Sequence, residues 1–346
     1  MTRTHHQNVA TRIASGALAA SALLVLATAC RDSGVKPGAV ASTPSDPVVV
    51  QQPATATQPG TIAQPEGGSV IPANVSYSDA ESTFRAKQYE QATAMFAVYA
   101  KAHPANAWGR YMLGLSAWRA GQLDDARAAF GDALELDPKH VKSMVNLSRV
   151  LLEQDRPSEA KERLLVAVAI DSGSSDAYRV LGRTEMLLGN AEAAIESYRA
   201  ALSIDPEDTW SMNNMGLILI QQGRFEEALR PLARATQLSD GVAVFHNNLG
   251  IALERTGRYE AAAESYRATL AVDSGYAKAS ANLARVDGRE DEQGVEPVTV
   301  AQLGDSFANE VSGWREQRLS QLRPALIDSA TVKSETTVSK VDSTMH

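Results

Sequence analysis

The chain has very little of what many functional classes require. Cys30 is the one cysteine among 346 residues, which excludes an internal disulfide and a metal site built from several thiolates. Basic side chains are outnumbered, with 33 Lys and Arg against 41 Asp and Glu and a formal net charge of −8. This acidic balance argues against nucleic acid as the main ligand. The length is enough for one or two domains.

Catalytic and metal-binding patterns are also missing from the sequence. The six histidines are scattered without the spacing of a zinc site. There is no glycine-rich phosphate-binding loop, no G-x-S-x-G motif, and no pair of carboxylates that the repeats described below leave unexplained. The sequence therefore predicts a protein that is not an enzyme and uses no cofactor, metal or small-molecule substrate.

The first residues have the pattern of an export signal. Arg3 and Arg12 precede an uncharged, mostly apolar run over residues 13–29, as in a signal peptide. At 17 residues, this run is at the lower limit for a membrane-spanning helix, so we expect cleavage rather than a permanent anchor. Residues 1–29 are the predicted signal peptide.

The end of this signal, LATAC over residues 26–30, resembles the lipobox of bacterial lipoproteins. The resemblance implies a lipid attached to Cys30, which becomes the new N-terminus and anchors the protein to a membrane. Arg31 after the cysteine implies sorting to the outer membrane, facing the periplasm, in a bacterium with two membranes. Ala27 stands where the family usually has Leu, and residues 27–29 also fit ordinary cleavage, so a secreted soluble form is the second interpretation.

Residues 30–72 contain this cysteine and a linker rich in Pro, Thr and Gln. Seven of the 14 prolines lie between Arg31 and Ser76, and no aromatic residue occurs before Tyr77. Such a composition buries too little apolar surface to offset the entropy lost on ordering. We expect a disordered tether that lets the folded part stand away from the membrane.

An identical spacing of 34 residues dominates the rest of the chain. It relates six alanines: Ala92, Ala126, Ala160, Ala194, Ala228 and Ala262. A small residue stands twelve positions before each of them: Ala80, Gly114, Ser148, Gly182, Gly216 and Gly250. Apolar residues spaced three and four apart predict amphipathic helices that cross closely at the small residues. Glycines predict the turns between paired helices: Gly121, Gly189, Gly223 and Gly257.

This pattern resembles the tetratricopeptide repeat (TPR) in its period, its small residue at position 8, its alanine at position 20 and its large apolar residue at position 24. The resemblance implies an all-α, right-handed superhelical solenoid of helical hairpins, with the first helices lining a concave groove that binds another protein. A helix over residues 277–287 is expected to cap the stack. Units one to six are residues 73–106, 107–140, 141–174, 175–208, 209–242 and 243–276.

Three details of the helix ends are predicted as well. Ser78 and Glu81 have the spacing of a capping box, which places the start of the first helix of unit one there. Pro157 is expected to start the second helix of unit three, a position that proline tolerates. Pro231 lies inside the second helix of unit five and predicts a bend.

Four asparagines at position 6 of their units resemble the asparagine ladder in the TPR superhelix of O-GlcNAc transferase. The resemblance implies that these amides bind the backbone of a peptide in the groove, since an amide offers an acceptor and two donors that match a peptide unit. The alternative is that asparagine is simply common at this position and is solvated. The four residues are Asn146, Asn214, Asn248 and Asn282.

Basic and aromatic side chains also fall at groove positions. The basic ones suit a ligand with carboxylates, or they lie on a solvated face or pair with Asp176 and Glu153. The aromatic ones predict anchors for a bound segment, with packing between repeats as the alternative, and we favour Trp210 because it borders Asn213 and Asn214. The basic residues are Lys142, Arg149, Arg179 and Arg183, with Lys278 and Arg285 near the far end, and the aromatic residues are Trp108, Tyr111, Trp118 and Trp210.

Beyond the capping helix, residues 288–298 are a predicted acidic hinge. Apolar residues then recur at helical spacing and predict an amphipathic helix over residues 299–322. We expect this helix to pack on the last repeat, and the alternatives are occupancy of the groove and recruitment of a partner. Residues 323–346 lack aromatic side chains and are predicted to be disordered.

The whole sequence predicts a membrane-tethered scaffold that binds an extended peptide or a helix of another protein during assembly of the cell envelope. Six TPR units behind a lipoprotein signal also resemble the pilotins that escort secretin rings to the outer membrane. A third hypothesis is a regulatory subunit of an envelope enzyme complex that docks through the convex face of the solenoid.

Overall fold

The computed structural model describes residues 71–341, with side chains through residue 322. The predicted signal peptide, Cys30 and all but the last two residues of the predicted linker lie outside the described residues. Within them, the chain forms fourteen α-helices and no strand. In chain order the helices are α1 Tyr77–Arg85, α2 Tyr89–Ala102, α3 Ala107–Arg119, α4 Leu123–Leu136, α5 Val141–Glu153, α6 Pro157–Ile170, α7 Ser175–Leu187, α8 Ala191–Ile204, α9 Thr209–Gln221, α10 Phe225–Leu238, α11 Ala243–Arg255, α12 Tyr259–Val272, α13 Ala277–Val286 and α14 Val300–Val341.

Helices α1 to α12 form six hairpins, one for each 34-residue unit. In each hairpin the first helix packs on the second, and the second packs on the first helix of the next unit. Successive first helices from α3 onward also contact one another, and α13 continues this row by packing on α12 and α11. The described part of the chain is therefore the predicted all-α solenoid, with α13 at its end.

The turns inside the hairpins all use the same backbone conformation. The predicted turn glycines have φ values between 74° and 78°, in the left-handed region that glycine enters without a steric penalty. Units one and three have Lys87 and Asp155 at the equivalent position, with φ of 61° and 56°. The backbone therefore turns identically in all six units, although two of them have a side chain where glycine fits best.

The predicted close crossing of paired helices occurs at position 8 of each unit. A Cβ atom on Gly114 would lie 2.7 Å from the Phe130 ring, and one on Gly216 would lie 2.4 Å from Leu232 Cγ. Both large residues stand at position 24 of the same unit and are fully buried. The small residue is therefore required because the side chain of the second helix fills the space that its Cβ would occupy.

The first helix begins two residues earlier than predicted. Ser76, not Ser78, is the N-cap of α1, and its Oγ accepts a hydrogen bond from the Asp79 N–H at 3.1 Å. The same hydroxyl donates to the Asp79 carboxylate at 2.6 Å. Asp79 takes the place where Leu is usual in a TPR, and a carboxylate in the first helical turn also interacts favourably with the helix dipole. The predicted Ser78 and Glu81 capping box is wrong.

Pro157 and Pro231 lie at the helix positions that the sequence predicts. Pro157 is the first residue of α6, where its missing N–H costs no helical hydrogen bond. Pro231 lies inside α10, which is one helix from Phe225 to Leu238, and it is buried.

The acidic segment after α13 is bonded to unit six rather than free as a hinge. Asp291 Oδ1 accepts a hydrogen bond from the Glu260 N–H at the start of α12, at 3.0 Å. The Glu292 N–H donates to the Gly257 carbonyl at 2.9 Å, and its carboxylate accepts from the Tyr259 hydroxyl at 2.5 Å. The start of α12 has no side-chain cap of its own, so the acidic segment supplies the negative charge that a helix N-terminus favours.

Helix α14 packs on α8 and α10, the second helices of units four and five. Phe307 and Val311 are buried there, and Glu310 pairs with Arg230 at 2.9 Å. The expectation that this helix packs on the last repeat is wrong, because the bonded acidic segment carries the chain past unit six. Its apolar stripe instead covers apolar side chains of units four and five: Ile195, Met215, Leu219 and Pro231.

The backbone of α14 continues to Val341, beyond the predicted end at residue 322. The helix thus extends into the segment 323–346, for which the sequence predicts disorder. Among the helices of the described residues, none combines the length and the apolar character needed to cross a bilayer.

Candidate functional site

The first helices of units two, three and four line an open cavity of about 800 Å³. This volume is in the range of ligand-binding sites. The cavity brings together seven of the side chains that the sequence placed in the groove. They are Trp108, Tyr111 and Trp118 on α3, Asn146, Lys142 and Arg149 on α5, and Arg183 on α7.

One wall of the cavity is aromatic. The Trp108 ring lies 4.9 Å from the Tyr111 ring between centroids, and His140 meets both rings edge-on at 5.6 and 5.2 Å. The Trp108 indole donates a hydrogen bond to the Tyr77 hydroxyl at 2.6 Å. Tyr111 is buried, while Trp108 is 40% exposed. The wall is thus a set of rings fixed by their neighbours, with one large apolar face open to a ligand.

His140 belongs to this wall as an uncharged side chain. It is the N-cap of α5, where its Nδ1 accepts a hydrogen bond from the Ser143 N–H at 3.2 Å. Burial lowers the pKa of His140 below its ordinary value of 6.5 and Lys142 lowers it further, although Asp137 opposes both. Since Nδ1 can accept only when it carries no proton, the cap requires the neutral imidazole.

Two cations lie over the tryptophan rings. The Lys142 ammonium is 5.2 Å from the Trp108 ring centroid, and the Arg119 guanidinium is 5.4 Å from that of Trp118. A cation in this position is attracted to the ring face. The rim of the cavity therefore combines positive charge with aromatic surface.

Arg149 and Arg179 are paired inside the protein, which is the alternative that the sequence left open. Arg149 donates to Asp176 at 2.5 Å and to Asn146 Oδ1 at 2.6 Å. Arg179 also pairs with Asp176, and it reaches Asp208 at 3.4 Å. Burial alone raises the pKa of Asp176, but the two guanidinium groups outweigh it and hold that pKa below its usual range. These two arginines link α5 of unit three to α7 of unit four, and α7 to Asp208, the N-cap of α9.

Arg183 lines the same cavity and is partly buried. Among the described side chains, none forms an ion pair or a hydrogen bond with it. Burial lowers the pKa of the Arg183 guanidinium, and the Tyr198 hydroxyl and Glu153 carboxylate offset part of that effect. The indole of Trp118 holds the Glu153 carboxylate at 3.0 Å.

The four ladder asparagines are buried and form hydrogen bonds within the protein, and Asn146 alone among them lines the cavity. Asn146, Asn248 and Asn282 each donate Nδ2 to a side chain of the preceding unit, because stacking places position 6 of one unit against position 5 of the unit before. Asn214 Oδ1 instead accepts from Asn213 Nδ2 in its own unit. The burial of all four contradicts the alternative that these asparagines are solvated, and peptide binding by the ladder stays a prediction. The contacts are Asn146 to Tyr111 Oη (3.1 Å), Asn248 to Asn213 (2.9 Å), Asn213 to Asn214 (3.3 Å) and Asn282 to Asn247 (3.5 Å).

Sequence reasoning missed the partners of this network. Asn213 and Asn247 are fully buried, and they stand 34 residues apart, each directly before a ladder asparagine. Their periodicity was available as a signal, but it was overlooked because position 5 was assigned to the groove.

The remaining predicted groove residues lie away from the cavity. Trp210, the favoured anchor, packs edge-on against Phe245 at 5.0 Å and belongs to the core of the C-terminal units. Arg285 pairs with Glu254 at 2.5 Å, and Lys278 is exposed on α13. Within the described part of the chain, no group of three or more His, Cys, Asp or Glu side chains is placed to hold a metal ion.

Comparison with known proteins places three tetratricopeptide repeat models on the chain, over residues 117–183, 173–240 and 213–285. The human Tetratricopeptide repeat protein 7B is 36% identical over 95 residues, which cover 28% of this chain and 11% of that protein. Protein NPGR2 of Arabidopsis thaliana is 32% identical over 93 residues, which cover 25% of this chain and 13% of NPGR2. The match therefore spans only 11% and 13% of the length of these relatives.

Among solved structures, a chain of the APC/C hetero-tetramer Cut9-Hcn1 superposes with a TM-score of 0.51 at 18% identity. The superposition covers 60% of this chain and 41% of that chain. At this level of identity the likeness shows a shared helical solenoid and nothing about shared partners.

Proposed function

Because the chain carries tetratricopeptide repeats folded as a solenoid, we propose that it binds an extended peptide or a helix of another protein in the cavity of units two to four. Tetratricopeptide repeats generally form non-enzymatic scaffolds for protein–protein interaction. The observation that carries this assignment is the open aromatic wall, where Trp108 is 40% exposed beside buried, fixed neighbours. Large aromatic side chains held in this way supply much of the energy of protein interfaces.

The rest of the first-helix face offers no comparable site. In units five and six the corresponding positions hold Asn213, Asn214, Asn247 and Asn248, which are buried and largely bonded to one another. A peptide that bound there would have to separate these amides before it could bond to them. The cavity needs no such rearrangement.

We further propose that the protein is tethered to the bacterial outer membrane through a lipid on Cys30 and works in assembly of the cell envelope. The support is the lipobox-like LATAC segment after the predicted signal peptide. Several acyl chains on one residue would hold the protein firmly to a bilayer. Labelling of cells with a clickable fatty acid is expected to mark the wild-type protein and not Cys30→Ser, and a secreted unlabelled wild-type protein would contradict the tether.

The binding proposal is tested by crosslinking in intact cells, followed by mass spectrometry of captured proteins. Trp108→Ala removes the exposed ring, while Leu165→Ala removes an exposed apolar side chain from the outer helix α6 and serves as the matched control. We expect one partner to be captured by the wild type and by Leu165→Ala but lost from Trp108→Ala. Circular dichroism of purified variants checks that both remain folded.

The second candidate is docking through the outer face, as in a regulatory subunit of an envelope enzyme complex. It is favoured by three apolar side chains of α6 that are 40–48% exposed: Leu165, Val166 and Ile170. A partner that is lost from Leu165→Ala and kept by Trp108→Ala would establish this mode and reject the cavity.

A role like that of a pilotin is a narrower version of the envelope proposal. It predicts that deletion of the gene leaves an outer-membrane secretin unassembled. Normal secretin multimers in the deletion strain would reject it without affecting the cavity proposal.

A further inference from the structure

We infer that the cavity binds one carboxylate of its partner at Arg183, so that the bound segment carries an aspartate, a glutamate or its own free C-terminus at that point. The inference rests on the proposed function, since it names the chemistry that the same cavity selects. It follows from an inventory of the charged groups that line the cavity.

All four carboxylates in the cavity lining already accept hydrogen bonds from the protein. Two are held by backbone N–H groups two residues later in the chain, one by an indole and one by guanidinium groups. Each of these carboxylates therefore already has at least one partner within the protein, in contrast to the guanidinium described next. The pairs are Asp137 with the Lys139 N–H (3.0 Å), Asp171 with the Gly173 N–H (2.9 Å), Glu153 with Trp118 Nε1 (3.0 Å), and Asp176 with Arg149 and Arg179.

The five basic side chains of the lining differ in what holds them. Arg149 is bound by Asp176 and Asn146, and Lys142 and Arg119 lie over tryptophan rings. Lys139 is exposed to water. Arg183 alone is partly buried with neither an ion pair nor a hydrogen bond among the described side chains.

An unpaired guanidinium that has lost part of its hydration is unfavourable. Arginine does not escape this by losing its proton, because its side chain stays charged at any physiological pH. A carboxylate is the group that a guanidinium binds best, since two parallel N–H donors match two oxygens. The cavity therefore gains most from a ligand that brings one carboxylate to Arg183.

The surroundings of Arg183 also limit what accompanies that carboxylate. Glu153 is close enough to affect Arg183 but lies beyond the 4.0 Å of an ion pair, and Trp118 holds it in place. A second negative charge on the ligand would meet Glu153 and Asp176. The Trp118 ring instead favours an apolar or aromatic neighbour. The expected ligand has a single acidic group beside an apolar residue, not an acidic run.

The test uses the full-length protein and displayed libraries of short random peptides. One library has a constant segment after the random part, and the other ends in a free C-terminus. Arg183→Gln removes the charge at the proposed site, and Arg183→Lys keeps it. Arg163→Gln removes the same charge from the exposed outer face of α6 and is the matched control.

We expect peptides selected on the wild type to be enriched in one Asp or Glu beside an apolar residue. Enrichment confined to the free-terminus library, without an acidic side chain, would assign the carboxylate to the C-terminus. Arg183→Gln should weaken the best peptide by at least about tenfold, as for loss of a charged hydrogen-bond pair. Arg163→Gln should leave the affinity for this peptide unchanged, and Arg183→Lys should bind it more tightly than Arg183→Gln does. Amidation of the peptide's carboxylate should weaken its binding to the wild type by the same factor as Arg183→Gln.

Two results would overturn the inference in distinguishable ways. Peptides that are selected without acidic bias and are insensitive to Arg183→Gln would reject the carboxylate site and leave the peptide-binding function standing. Failure to select any peptide on a folded wild-type protein would reject both.

Discussion

The two halves of the solenoid share one repeat and differ in what covers them. The core of units one to three and α7 underlies an open cavity. The core of units four to six includes Phe307 and Val311 of α14, and its first-helix face is filled by buried amides. The repeat thus fixes the path of the chain. The residues at positions 5 and 6 decide whether the first-helix face is filled, and α14 covers the second helices of units four and five.

The same hydrogen bond between neighbouring units occurs in both halves, but its acceptor group differs. Position 6 of a unit donates to position 5 of the unit before, 35 residues earlier in each case. In the first half the acceptor is a phenol whose ring also lines the cavity, and in the second half it is an amide. The pairs are Asn146 with Tyr111, Asn248 with Asn213, and Asn282 with Asn247.

The largest expected effect comes from Phe307→Ala, which should destabilise only the half of the solenoid that α14 covers. Phe307 is 1% exposed between α14 and the outer helices, and loss of such a ring costs about 3–5 kcal/mol. Hydrogen exchange should therefore rise in α8, α10 and α14 and stay unchanged in α3 to α5. Leu319→Ala, at a side chain that is 52% exposed, should change stability by less than about 0.5 kcal/mol. Equal exchange changes in both halves would contradict the comparison.

Next in size is Asn248→Ala, which tests whether the amides are structural. It leaves the buried Asn213 Oδ1 without its donor and should destabilise the protein by about 1–3 kcal/mol in urea unfolding. Peptide binding in the cavity should not change. A cycle with Asn213→Ala should be non-additive because the two side chains are in contact. Additive losses of unfolding free energy, together with weaker peptide binding, would show that these asparagines belong to the binding site.

A smaller effect should follow acidification, and it should be confined to the first half. Burial lowers the pKa of His140 below 6.5, so the unfolded chain binds that proton more tightly and stability falls as the pH drops through this region. The expected loss is about 1 kcal/mol, the size of a lost N-cap. His140→Asn keeps a capping acceptor without a titrating group, so it should remove this pH dependence. The measurement is urea unfolding at about pH 7.5 and about pH 5.5, and an unchanged profile in His140→Asn would contradict the assignment.

The smallest effect concerns the hairpin turns. The first half has Lys87 and Asp155 at left-handed positions where the second half has glycine throughout. Replacing either with glycine should stabilise the protein by about 0.5–1 kcal/mol, since glycine avoids the steric penalty there. Gly223→Ala should have the opposite sign in thermal unfolding. Destabilisation by Lys87→Gly would show that its side chain has a role that the turn does not explain.

The features that the sequence predicted well are those fixed by local or strictly periodic constraints. Gly216 was expected at a close crossing because a 34-residue period and a small residue at a helix contact leave few alternatives. The positive φ of the turn glycines follows in the same way. The cavity residues Trp108 and Arg183 were also placed together, since helical periodicity assigns them to one face.

The failures concern contacts that periodicity does not specify. Asn248 and Arg149 stand at groove positions, but their partners are set by how adjacent units stack. Pairing of Arg149 with Asp176 was therefore one of several alternatives, and pairing of Asn248 with Asn213 was not predicted. Trp210 was favoured for its neighbours in sequence, whereas Phe245 of the next unit covers it. The place of α14 depends on Asp291 and Glu292, which belong to the segment predicted as an acidic hinge and instead bond to the start of α12.

The hydrogen bond between Tyr77 and Trp108 has a mechanical consequence. Tyr77 is the first residue of α1, a helix of nine residues that a membrane tether at the N-terminus would pull before any other. Tension that peeled α1 away would free the Trp108 indole from its fixed orientation and alter the cavity wall. If the proposed tether exists, the shape of the cavity wall would then depend on the force along it.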